Sequence, residues 1–202
     1  MKIKLTFLLF ILLFLAVVSC ETKEQKQEES PMSADNSVYL EKGQHIASST
    51  FASLSGKLQA AMKEGGVINA VDYCNFAAFP LVDSLAKAHQ ADIRRTSLKV
   101  RNPENAPTSA ERSILEKYTQ SAQAGEALKP MVQQVDGQTV VFYAPIQINA
   151  FCLQCHGKLG DTLKEEDYDA IHKLYPDDQA VGYAEGDLRG IWSIRFKKDK
   201  KG

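Results

Sequence analysis

Phe151-Cys152-Leu153-Gln154-Cys155-His156-Gly157 is the stretch of this sequence best equipped for chemistry. Cys-x-x-Cys-His is the attachment signature of c-type haem. The two thiols add covalently across the haem vinyl groups, and a one-turn spacing lets both reach the same edge of the macrocycle. The adjoining histidine then offers a ring nitrogen to the iron as an axial ligand. Other uses of these residues are less well supplied. A redox Cys-x-x-Cys would sit in a thioredoxin-like βαβ context, which the flanking sequence lacks. Half a zinc site would need another close pair of Cys or His, yet His45, His89 and His172 stand singly. A disulfide across only two intervening residues is more often redox-active than structural. Covalent haem at Cys152 and Cys155, with His156 on the iron, is the expectation.

The N-terminus sets the expected compartment. Lys2 and Lys4 precede an apolar run over residues 5–18, which is followed by Ser19 and Cys20. A charged start, an apolar middle and a small-residue end make a signal peptide. As a helix the run would reach about 21 Å at ~1.5 Å per residue, short of a ~30 Å hydrocarbon core. Val17-Val18-Ser19-Cys20 also resembles the lipobox of bacterial lipoproteins, in which the cysteine becomes the lipidated first residue. Several acyl chains on one residue anchor a protein far more firmly than a single myristoyl group. The expected location is therefore the bacterial cell envelope, lipid-anchored through Cys20 and facing the periplasm or exterior. Bacteria assemble c-type haem in that same compartment.

Export gives the four cysteines an arithmetic. With Cys20 assigned to lipid and Cys152 and Cys155 to haem, Cys74 is left alone. A lone thiol outside the cytoplasm is exposed to oxidation and mispairing. Cys74 therefore either packs as a small hydrophobe in a core or takes a partner other than cysteine, for which iron is the obvious candidate. The 202 residues suggest one domain with a tail, and 44% apolar content is enough for a core. A net charge of −1 lacks the basic footprint of nucleic-acid binding. The end Lys197-Lys198-Asp199-Lys200-Lys201 reads as a solvated tail.

The elements that must position these residues follow from periodicity. Residues 20–36 mix both charge signs with little to bury and read as a flexible tether after a signal peptide over 1–19. Residues 38–64 carry Leu40, Ala47, Phe51, Leu54, Leu58 and Ala61 at helical spacing, and Gly65-Gly66 ends that helix. Residues 67–90 predict two helices broken near Pro80, with Val71, Cys74, Ala78, Leu81 and Leu85 on one stripe. Residues 93–100 read as a strand and 101–107 as a loop. Thr108 and Glu111 form a capping box for a helix reaching about Ala124. Residues 131–135 and 138–148 predict a hairpin turning at Asp136-Gly137 as a type I′ turn, and its second strand leads to Cys152. A helix over 164–174 and a strand over 188–196, carrying Trp192, complete the chain. Helices followed by an interrupted antiparallel sheet point to α+β. Asp161, Glu165, Glu166, Asp167 and Asp169 read as a solvated face.

Several stretches together resemble a known family. They are Arg95-Thr96-Ser97-Leu98-Lys99-Val100-Arg101-Asn102-Pro103-Glu104-Asn105-Ala106-Pro107, Tyr143-Ala144-Pro145-Ile146, the Cys152–Gly157 segment, Tyr175-Pro176-Asp177-Asp178-Gln179-Ala180, and Gly182-Tyr183-Ala184-Glu185-Gly186-Asp187-Leu188-Arg189-Gly190. This sequence is similar to the c-type haem-binding PAS-like domains found as stand-alone exported cytochromes and as sensor regions of bacterial signalling proteins. The resemblance covers about residues 38–196, within an expected domain of 37–197 and before a basic tail of 198–202. It implies a PAS-like antiparallel sheet with long N-terminal helices and one covalently attached haem. It also implies axial ligation by His156 and Cys74. A thiolate ligand favours ferric iron and a low reduction potential. Arg94, Arg95, Lys99 and Arg101 are candidates to neutralise the haem propionates or the thiolate.

Three functions compete on these residues. One is an anchored low-potential electron carrier or redox module working with an unidentified redox or signalling partner. Another is a sensor in which Cys74 leaves reduced iron and a diatomic gas takes its place. The third is a haem-free metal or disulfide protein using the same thiols. An enzyme is not expected, because six-coordinate iron leaves no open position and no catalytic grouping lies nearby. Should Cys74 not be the ligand, His45, His89, His172, Met62 or Met131 replaces it.

Overall fold

The computed structural model describes residues 34–76 and 78–198. The expected signal peptide, Cys20 and most of the expected tether lie outside the described residues, as do residue 77 and residues 199–202. Helix α1 (Ala34–Phe76) starts inside the span 20–36 assigned to the tether. It is two helices joined across a kink, with Gly66 at φ 69°, a conformation that favours glycine. The Asn69 side chain donates to the Ala61 carbonyl at 2.9 Å, serving an acceptor near the break. The expected helix end at Gly65-Gly66 is thus a bend without an intervening loop. Helix α2 (Ala78–His89) carries Pro80 within its first turn, where a missing N–H costs nothing. Residue 77, between the two helices, lies outside the described residues, and Pro80 itself is helical.

Strand β1 (Asp92–Thr96) is shorter than the expected 93–100. The Ser97 hydroxyl accepts from the Lys99 N–H and donates to the Lys99 carbonyl, both at 3.1 Å. That local pairing turns the chain out of the sheet before Val100. A single 3-10 turn, Pro103–Asn105, sits in the expected loop. Helix α3 (Ser109–Gln123) begins with the expected Thr108–Glu111 capping box. Strands β2 (Met131–Gln134) and β3 (Thr139–Gln147) form the expected hairpin, but its turn differs. Val135 N–H donates to Thr139 O at 3.0 Å, leaving Asp136, Gly137 and Gln138 as the loop. Neither Asp136 nor Gly137 has the positive φ that a type I′ turn requires. Instead the Asp136 carboxylate accepts the Gln138 N–H at 2.8 Å. A one-turn helix α4 (Leu153–His156), helix α5 (Glu165–Leu174) and strand β4 (Leu188–Lys197) follow.

The four strands form one antiparallel sheet in the order β1-β4-β3-β2. Together with the long N-terminal helix this is the α+β architecture the sequence implies. Alternation along the strands splits the core in two. Ile93, Phe142, Ala144, Trp192 and Ile194 pack against Ile46, Ala47, Leu54 and Val82 of α1 and α2. Val141, Tyr143 and Ile191 face Leu115 and Tyr118 of α3. A Cβ on Gly43 would overlap the buried Phe142 ring, so glycine is what lets α1 lie directly on the sheet. A third cluster joins Val67 and Val71, beyond the kink, to Leu163, Ile171 and Tyr175 around α5. Lys198, expected to start the basic tail, belongs to the fold: its N–H donates to Gln138 O at 2.7 Å and its ammonium meets Asp35. Among the described residues no helix is long and apolar enough to cross a membrane.

Glu111 ties α3 to the sheet. It is buried, receives the Thr108 N–H at 2.9 Å and pairs with Arg94 Nε at 3.3 Å. Burial works to raise its pKa, but hydrogen bonds from Thr108 and Ser193 and the Arg94 charge outweigh it and hold the carboxyl below its ordinary 4.5. Below that value the unfolded chain binds the proton first, so this contribution is complete above about pH 4.5 and is lost as pH falls through the folded pKa. Urea unfolding at about pH 3.5 and about pH 6.5 should therefore show a smaller acid-side loss of stability in Glu111→Gln than in the native chain.

Candidate functional site

Cys152 is the N-cap of α4, and its backbone N–H is held by Asn149 through Oδ1 at 3.1 Å and the carbonyl at 3.0 Å. One turn of helix then carries Cys155 and His156. Gly157 follows because a Cβ there would overlap the Thr162 hydroxyl and crowd the Leu153 carbonyl. The segment 178–183 runs against this turn and fixes it. Gly182 N–H donates to Gly157 O at 2.9 Å, and Tyr183 N–H donates to His156 O at 3.0 Å. Most informative is the His156 ring. Its Nδ1 lies 2.7 Å from the Ala180 carbonyl, which can only accept. Nδ1 therefore carries the proton and Nε2 keeps its lone pair. Burial, then the charges of Arg101 and Arg189, hold His156 well below the usual imidazole range. The ring is consequently neutral at physiological pH, the form a metal binds.

Arg101 locks the turn from the other side. Its Nη2 donates to the Cys155 carbonyl at 2.6 Å and lies 3.0 Å from Asp178 Oδ2, which also accepts from Nε at 3.1 Å. The other Asp178 oxygen accepts the Ala180 N–H at 2.8 Å. With side-chain exposures of 14% and 0%, Arg101 and Asp178 form a buried ion pair. Neither residue's role was visible locally, because 77 positions separate them.

Cys74 lies on the second segment of α1, partly buried, and is a free thiol, as are Cys152 and Cys155. Burial raises the Cys74 pKa, opposed by the charges of Arg95 and Arg101. Burial likewise pushes the Cys155 thiol up to about 11, and the Cys74 charge acts on it in the same direction. Cys155 packs into the cluster that contains Val71, one turn before Cys74. The fold thus brings the end of α1 into the neighbourhood of the Cys152–His156 turn. Tyr175 belongs to this group, its pKa raised by burial and then by the Cys74 charge. Both thiols are protonated at neutral pH, so they become sulfur ligands only when a metal displaces the proton.

The alternative ligands separate. Met62 packs in the same cluster as Cys155, while Met131 sits with α3 on the other side of the sheet. His172 is exposed beside Tyr168, with ring centroids 5.7 Å apart. His45 and His89 do not stand singly as the sequence suggested, because α1 and α2 bring their ring centroids to 6.1 Å. Among the described residues no three His, Cys, Asp or Glu side chains converge to hold a metal ion. The acidic face near α5 is largely exposed, with Asp167 partly buried and its charge felt by Cys155.

A neutral imidazole whose Nε2 keeps its lone pair, set one turn from two free thiols on an α+β scaffold, defines a ligand-holding module. The chain matches the model of the Tll0287-like family over residues 18–197 and belongs to that family. Among solved structures it is similar to the crystal structure of the cyanobacterial haem protein Tll0287. That match has 23% sequence identity and a TM-score of 0.51, covering 73% of this chain and 96% of that one. At this identity the likeness is one of fold. No curated protein matches the chain.

Removing one partner of the buried ion pair should be costly at this site. Asp178→Ala leaves the Arg101 guanidinium buried without its carboxylate and strips a cap from Ala180. The expected loss is about 3–5 kcal/mol of unfolding free energy, read by urea denaturation, against a much smaller loss for exposed Asp177→Ala.

Proposed function

We propose that this chain is an exported, lipid-anchored monohaem c-type cytochrome that acts in low-potential electron transfer or redox sensing and is not an enzyme. Cys152 and Cys155 hold the haem covalently, His156 and Cys74 hold its iron, and Cys20 carries the lipid. The observation that carries this reading is the His156 ring, pinned through Nδ1 to the Ala180 carbonyl at 2.7 Å with Nε2 free beside two unpaired thiols. That tautomer and orientation suit an axial ligand whose second nitrogen is anchored to the protein. The family and the haem named for the similar structure support the same reading. When bound, the haem supplies a one-electron couple at the iron. This chain's part is to orient His156, to exclude water through the Val67–Tyr175 cluster, and to offer the Cys74 sulfur from the end of α1. The haem-free alternative draws little support, since no three-ligand cluster forms among the described residues.

The gas-sensing alternative draws on a different observation. Cys74 lies near the end of α1, beyond the Gly65–Gly66 kink and just before the boundary with α2. A ligand placed beyond a glycine kink, without the clamp that holds His156, is the more readily displaced of the two.

Protein produced with cytochrome-maturation machinery should keep Soret and α/β bands after acid-acetone extraction. Cys74→Ala should convert ferric low-spin iron to a high-spin or water-bound spectrum. A colourless native preparation sinks the haem reading, and an unchanged Cys74→Ala spectrum transfers the ligand role to Met62 first. Ferrous spectra with and without carbon monoxide separate sensor from carrier: indifference at saturating gas removes the gas-binding alternative. For the anchor, Cys20→Ala should move the protein from the membrane fraction to the soluble fraction. Persistence in the membrane fraction would count against lipidation at that residue.

A further inference from the structure

Five basic side chains come from the stretches that border the site, and their partners sort them. Arg94 points to the α3 side of the sheet, paired with Glu111 at 3.3 Å. Arg101 is committed to Asp178 and the Cys155 carbonyl. Lys99 donates to the Val181 carbonyl at 2.5 Å and rests 4.4 Å from the Tyr183 ring centroid. Arg95 and Arg189 remain. Arg95 sits opposite Trp192 in the β1–β4 register, its guanidinium 5.8 Å from that ring, and makes no ion pair or hydrogen bond among the described residues. Arg189 spends Nη1 on the Lys99 carbonyl at 3.0 Å and lies 5.6 Å from the Tyr183 ring, again without a carboxylate.

We propose that Arg95 and Arg189 are the seat for the two propionate carboxylates of the haem, an assignment that rests on the haem reading above. Arginine does not give up its proton, so a partly buried guanidinium without an anion remains a standing electrostatic cost. Asp178, whose charge Arg189 feels, has both oxygens already engaged by Arg101 and the Ala180 N–H. The charges of Arg95 and Arg189 are both felt by His156, and that of Arg95 by Cys74 as well. They also repel one another and Arg101. Among the described residues no carboxylate pairs with either guanidinium, and a bound ligand would supply the missing negative charge. Two unmatched guanidinia answer to a ligand with two carboxylates. Arg189 was not among the basic residues singled out from sequence, and Arg94 and Arg101 leave that group because the fold supplies them with partners.

The test uses full-length haem-loaded protein, native and as Arg95→Gln, Arg189→Gln, Arg95→Lys and Arg189→Lys, with Arg94→Gln as a control of equal charge loss. Reduction potentials are measured from about pH 5 to about pH 9, and propionate bending bands by resonance Raman. Native protein and Arg94→Gln should show potentials that do not change across the range where a free propionate titrates. Each Gln variant should show a potential that falls with rising pH there. The expected size is about a tenfold change in the ferric-to-ferrous ratio, about 59 mV for one electron, with a shifted bending band. The Lys variants should restore the flat profile but not the native band, since Lys keeps the charge and loses the fork. Unchanged potentials and bands in both Gln variants overturn the inference while leaving the haem reading intact. A change confined to iron–sulfur bands in Arg95→Gln overturns it for Arg95 and makes the Cys74 thiolate its anion. Absence of covalent haem in the native protein overturns the haem reading and this inference together.

Discussion

The site depends on a clamp between the turn carrying Cys155, His156 and Gly157 and the extended segment from Asp178 to Tyr183. Backbone donors at Gly182 and Tyr183, the Ala180 acceptor on the His156 ring and the Arg101–Asp178 pair all close the same junction. Alone, a four-residue helix has no stability of its own, because nucleating a turn costs more than its hydrogen bonds return. Here the cost is met by neighbours. The turn is oriented by the chain's own contacts, and the imidazole tautomer is chosen by a carbonyl that cannot donate. Val100 joins the same junction through the Gln179 N–H, which ties β1's exit to the clamp at 2.9 Å.

Electrostatics give the surroundings of that clamp a single sign. Arg95, Arg101, Arg189 and Lys99 gather about one engaged carboxylate, Asp178, and two tyrosines. In such surroundings a proton on His156 is disfavoured twice, by lost solvation and by like charge. A thiolate at Cys74 is disfavoured by lost solvation but favoured by the arginines. The protein alone therefore holds imidazole and thiol neutral, while its field favours an incoming anionic group. Under the haem reading, the same field would oppose extra positive charge on oxidised iron, and a thiolate ligand would compensate for it.

What the sequence disclosed and what it hid divide along the range of the interactions. The Thr108–Glu111 capping box is encoded within a few residues and was legible in full, whereas at Cys152–His156 only the spacing of the side chains was legible. The hairpin was legible as a pair of strands, but Asp136-Gly137 misled because the pairing of Val135 with Thr139 leaves three residues to turn. Lys99 and Val100 looked like strand continuation, yet Ser97 had already redirected the backbone through its own side chain. Partners far apart in sequence were invisible: Asp178 for Arg101, Ala180 for His156, His89 for His45. Alternation settles after the fact which arginines face the site. Arg94 and Arg95 are adjacent, so a strand must send one to α3 and the other to the opposite face. Which went where depended on the register with β4, and no local pattern reveals it.

The two proposed iron ligands are held with unequal firmness, and that inequality bears on function. His156 is fixed by its ring, by its own carbonyl and by the glycine that follows, all within the clamp. The Cys74 backbone belongs to α1, and its side chain makes no hydrogen bond among the described residues. It depends on the packing of Val67 and Val71 one or two turns earlier, on a helix segment bounded by a kink and an end. Were both bonds to iron weakened equally, the His156 ring would still be held by its bond to the Ala180 carbonyl, whereas no side-chain hydrogen bond of Cys74 is found among the described residues. Release would act on the segment between Gly65 and α2, away from the sheet core that holds β3 and β4. An electron carrier has no use for that asymmetry, whereas a redox sensor needs one ligand fixed and one mobile. Under the sensing reading proposed above, Cys74 would be the mobile ligand and His156 the fixed one.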